Sequence, residues 1–90
     1  MENQKQKINI VIAEDIASGK YANNAIINFN KTEFIIDFGL FQPQTSNNKI
    51  QSRIIINPEV AKSFLVSLQK SVEHFEQSNF TETIGKQTVQ

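Results

Sequence analysis

The chain has one histidine, His74, lying beside Glu73 and Glu76. An imidazole next to carboxylates can act as a general base or a metal ligand, but no cysteine or second histidine exists to complete a metal shell. On a helix, His74 reads as a solvated side chain. Glu14 and Asp15 are adjacent carboxylates in a loop-like segment, and they read as solvated turn residues rather than an acid/base pair. Gly19, Gly39 and Gly85 stand too far apart to cradle a phosphate or form a dinucleotide fingerprint. No serine can be given histidine and aspartate partners by spacing. The residues therefore assign no catalytic, metal or cofactor-binding group, and the expectation is a protein that is not an enzyme.

Asp37 and Arg53 carry the remaining polar chemistry, together with Asn24. A carboxylate and a guanidinium facing each other across strands can fix orientation at an interface or contact a ligand, and as an ordinary exposed pair would contribute little to stability. What they do depends on the elements that hold them.

Those elements are read as four strands and a helix. In Ile8-Asn9-Ile10-Val11-Ile12 the isoleucines alternate and share one face. Tyr21 to Phe29 and Thr32 to Phe41 are two more strands, with Asn30 and Lys31 as a two-residue turn. That turn sets Ile27 opposite Phe34, Ile26 opposite Ile35 and Asn24 opposite Asp37. Gln42 to Lys49 is an exposed loop containing Pro43, and Ile50 to Ile56 is the last strand. A symmetric hairpin pairs Leu40 with Ile50, Phe38 with Ser52, Asp37 with Arg53, Ile36 with Ile54, Ile35 with Ile55 and Phe34 with Ile56.

Asn57 then caps a helix with Pro58 at its first position and Glu59 in its first turn. Val60, Ala61, Phe64, Leu65, Leu68, Val72 and Phe75 make one apolar stripe. The expected fold class is α+β, a four-stranded antiparallel meander followed by one long C-terminal amphipathic helix packed on one face. Residues 1–7 are expected to be a disordered arm, 8–77 a single folded domain, and 78–90 a polar, mobile tail.

One helix covers one sheet face. The other carries Val11, Ile26, Ile35 and Ile55, a band that would pack against another copy or another protein, with Asn24, Asp37 and Arg53 beside it. Burying each isoleucine contributes about 1.5–3 kcal/mol. A chain of 90 residues without cysteine has a small core and no disulfide, which also favours a homo-dimer or dimer-based oligomer.

Nine basic and nine acidic residues give zero net charge, against a surface built mainly for nucleic acid. A local patch of Lys20, Lys31, Lys49 and Arg53 keeps a nucleic-acid-binding alternative open. The sequence has no apolar run of membrane-spanning length and no signal-peptide pattern, so a cytoplasmic protein is expected.

The segments Tyr21-Ala22-Asn23, Glu33-Phe34-Ile35-Ile36-Asp37-Phe38 and Ser52-Arg53-Ile54-Ile55-Ile56-Asn57-Pro58, followed by Ala61-Lys62, resemble a family of short bacterial proteins catalogued only as a domain of unknown function. The resemblance runs from about Ile8 to Glu76. It implies that Asp37, Phe38, Ser52, Arg53 and Pro58 belong to a shared pattern, and it implies no activity or cofactor. The architecture is also similar to the SecB-like chaperone fold, whose subunits associate through sheets and helices. Together these readings point to a protein- or peptide-binding or assembly module that oligomerises through its second sheet face.

Overall fold

The computed structural model describes residues 7–86. It contains a one-turn helix α1 (Glu14–Ala17), three strands β1 (Asn24–Phe29), β2 (Phe34–Gln42) and β3 (Asn47–Ile56), and a long helix α2 (Pro58–Lys86). The fold is α+β. The strands form one antiparallel meander in the order β1-β2-β3.

The expected fourth strand is absent among the described residues. Ile8 to Ile12 has no strand partner among the described residues, and α1 and the turn at Gly19, where φ is 77°, stand between it and β1. Lys20 Nζ donates to the Gln51 carbonyl and Gln51 Nε2 to the Tyr21 carbonyl, each at 3.5 Å. These contacts carry the arm to β3, not along β1.

The first hairpin turns around Lys31 and Thr32, one residue later than expected. Asn30 Oδ1 accepts from the backbone N–H of Thr32 at 2.9 Å and of Glu33 at 2.8 Å, an Asx turn that moves the closing pair to Asn30 and Glu33. Every β1–β2 pair consequently slides by two residues: Ile27 faces Ile36, Ile26 faces Asp37 and Asn24 faces Gly39. An even slip preserves the side each residue points to, so the assignment of faces survives.

The second hairpin pairs Phe34 with Ile56, Ile35 with Ile55, Ile36 with Ile54, Asp37 with Arg53 and Phe38 with Ser52, as expected. Beyond Phe38 the register shifts, and Gly39 faces Ile50. The strands also run further into the loop than expected, leaving only Pro43 to Ser46 between Gln42 and Asn47. Backbone bonds from Thr45 and Ser46 to the Gln42 carbonyl and a left-handed Ser46, φ 60°, close this loop. A four-residue loop sets one parity of pairing and the isoleucines of β3 demand the other. Gln51 is the extra residue that reconciles them. The correction moves Ile50 off the core face and onto the side of Asp37.

At the start of α2, Asn57 Oδ1 accepts from Val60 N–H at 2.7 Å, the cap that its position implies. The helix continues past the boundary expected after residue 77, because Ser78 to Glu82 contain neither proline nor glycine to stop it. Residues 1–6 of the expected disordered arm and 87–90 of the expected mobile tail lie outside the described residues.

The helix also departs from expectation in its packing. Its first three turns face Ile27, Phe34, Ile36 and Ile56 across an open groove of about 430 Å³, rather than closing on them. Leu65 remains 63% exposed. Extensive contact between elements is confined to β1 with β2 and β2 with β3. The Cα radius of gyration is 18.1 Å, where a compact chain of this length has about 12 Å. Among the described residues, Ile36 is the one buried large hydrophobic side chain.

Candidate functional site

A two-pronged ion pair lies on the face away from α2. Alternation along β2 places Ile35, Asp37, Gly39 and Phe41 on this face. Asp37 sits between Ile26 on β1 and Arg53 on β3. Arg53 Nε donates to Asp37 Oδ1 at 2.7 Å and its Nη2 to Oδ2 at 2.9 Å, a two-pronged grip that fixes both side chains. The carboxylate is 8% exposed and the guanidinium 64%. The charge-assisted hydrogen bonds from Arg53 hold the Asp37 carboxyl below its ordinary value of 3.8, against the opposing effect of burial, and the positive charge adds to them. The same partner holds Arg53 more firmly in its charged form.

Asn24 is not part of this row. It lies one rung further along, where its Nδ2 donates to Asn48 Oδ1 at 3.1 Å and Asn48 Nδ2 donates back to Asn24 Oδ1 at 2.9 Å. These residues belong to the two outer strands, and they meet over the central one because Gly39 has no side chain. A Cβ at Gly39 would collide with Asn48 Oδ1. Asn23 extends the arrangement, donating through Nδ2 to the Phe41 carbonyl at 3.2 Å and accepting Phe41 N–H through Oδ1 at 2.9 Å. Sequence reasoning missed this cluster. Its signal was a glycine inside a central strand, which marks a close approach.

The apolar band is brought together in part. Ile35 and Ile55 are direct partners, with Asn28 as the third member of their row, and Ile26 is a diagonal neighbour on the same face. Val11 lies on the unpaired arm, 88% exposed.

His74 and Glu73 are exposed on α2, where Gln69 Nε2 donates to Glu73 Oε2 at 3.3 Å. Among the described residues there is no group of three or more potential metal ligands. The basic residues are spread out: Lys31 is in the first turn, Lys49 near the opposite end of the sheet, Lys20 on the arm, and Arg53 is tied to Asp37. No helix among the described residues is long and apolar enough to cross a membrane.

Residues 1–82 match the model of a family described as Protein of unknown function (DUF3467), and the chain belongs to that family. No curated protein and no solved structure matches it. The membership bears out the resemblance carried by the Tyr21, Glu33 and Ser52 segments. The SecB-like similarity finds no support, and the loss of the fourth strand removes its architectural basis.

Proposed function

We propose that this chain is a non-enzymatic assembly module of the cytoplasm, one that associates through its sheet and presents the assembled surface to a protein or peptide. The supporting observation is the imbalance of burial. Twenty large hydrophobic side chains are exposed among the described residues, against the single buried one at Ile36. Scattered apolar residues are normal on a surface, but here they form both sheet faces and a helical stripe. A sheet with so little cover needs a second layer to be stable.

On the second face, Ile35 and Ile55 form the centre of the contact and the Asp37–Arg53 pair sets orientation at its edge. Light scattering on Ile35→Asp combined with Ile55→Asp tests the reading. The doubly substituted chain should have a smaller mass than the parent, and an unchanged mass overturns contact through this face.

A further inference from the structure

We infer that Ile8 to Ile12 is a strand held in reserve for a second copy, added to the free edge of that copy's β3. The segment has the alternation of a half-buried strand, yet among the described residues it is unpaired, and it is open: Ile10 is 92% and Val11 88% exposed. Isoleucine and valine at this density are poor coil residues in water, and their β-branched side chains favour the extended backbone that a sheet edge accepts.

The same chain presents the complementary edge. β3 is terminal in the strand order and ten residues long. Asn30 N–H donates to the Glu33 carbonyl, which makes these residues a hydrogen-bonded pair at the end of the first hairpin. Strict alternation from that pair turns the backbone groups of Ile35 and Asp37 toward β1 and those of Ile36 and Phe38 toward β3. On β3, Ser52 and Ile54 then face β2, and the N–H and C=O groups of Arg53 and Ile55 point outward. A long edge with exposed polar backbone and apolar side chains is a template for another strand.

Docked there parallel to β3, Ile8, Ile10 and Ile12 join the face of Ile54 and Ile56, with Ile10 N–H donating to the Arg53 carbonyl and Ile55 N–H to the Ile10 carbonyl, while Val11 joins Ile55 on the opposite face. Within its own chain the short connection through α1 and the Gly19 turn is tied to β3 at Lys20 and Tyr21, and residues 8–12 themselves pair with none of the described residues. A second copy has no such restraint. With each apolar arm side chain burying roughly 100 Å², two exchanged arms and the edges they cover bury on the order of 1,600 Å², the size of a standard stable interface. Exchange also gives each sheet the fourth strand that its sequence pattern anticipates.

This inference rests on the self-association proposed above, but its test uses different residues. Ile10 makes no backbone hydrogen bond with the described residues, so Ile10→Pro leaves an isolated copy unharmed while removing an N–H needed by a paired strand. Sedimentation equilibrium should show the dimer dissociation constant rising by about tenfold or more in Ile10→Pro, with Ile10→Thr between it and the parent. Amide exchange in the parent should show concentration-dependent protection at Arg53 and Ile55, lost in Ile10→Pro. Protection at Ala25 and Ile27 instead places the arm on β1 and overturns the assignment. Protection independent of concentration places it on its own sheet and also overturns it. If Ile10→Pro leaves association unchanged while the Ile35→Asp, Ile55→Asp chain dissociates, the arm exchange fails and the face contact stands.

Discussion

Arg53 closes over Asp37 from the neighbouring strand, engaging both carboxylate oxygens while its own guanidinium stays largely in solvent. The pair is asymmetric: one charge has given up most of its water and depends on the other for replacement. Burial of the carboxylate is therefore tolerable only while Arg53 is present.

An acid-sensitive stability follows from the lowered carboxyl value of Asp37. With the folded value below the ordinary 3.8, the contribution is fully present above the unfolded value and is lost as pH falls through the folded one. Thermal melts of the parent should lose stability below about pH 4, and Asp37→Asn should flatten that decline while lowering the melting temperature at neutral pH. Arg53→Ala should be more damaging at neutral pH than Asp37→Asn, since it strands the charge. Equal melts at pH 7 for Arg53→Ala and the parent would contradict this account.

Gly39→Ala should destabilise the sheet by about 1–3 kcal/mol, because the added methyl group meets the Asn48 side chain. The measurement is urea unfolding of a double-mutant cycle. Combining Gly39→Ala with Asn48→Ala should recover part of the loss, since the colliding amide has gone. Strictly additive costs would show that the strain at Gly39 comes from elsewhere.

Deletion of Gln51 should be tolerated, costing about 1 kcal/mol or less by denaturant midpoint. Removal of the bulged residue brings the loop parity and the isoleucine parity into agreement, so Asp37 keeps Arg53 and Ile36 keeps Ile54. Only the arm contacts of Gln51 with Lys20 and Tyr21 are lost. Collapse of the fold on this deletion would mean that the extra residue has a role in the sheet beyond adjusting register.

The second hairpin was legible because two independent requirements agreed there: the isoleucines of β3 needed the face of Ile36, and Arg53 needed Asp37. The first hairpin was read two residues off because the Asn30 side chain, not the backbone turn type, decides where the chain reverses. Side-chain alternation has a period of two, so Ile26 and Ile27 still went to the correct faces. Ile50 was misplaced for the opposite reason, since one bulged residue reverses the parity of everything before it. The helical stripe announced an amphipathic helix, but a stripe specifies only what must be covered, and α2 stands across an open groove from the sheet. The amide cluster was beyond a pairwise reading, because Asn24 and Asn48 meet only when three strands are aligned over Gly39.

The amide clasp between Asn24 and Asn48 changes how the sheet can come apart. Outer strands normally fray independently, each held by the central strand alone. Here the beginning of β1 and the beginning of β3 are also fastened to one another, so peeling either one releases a side chain of the other. Local opening at that end is therefore a joint event, and the two margins of a three-stranded sheet share a single latch.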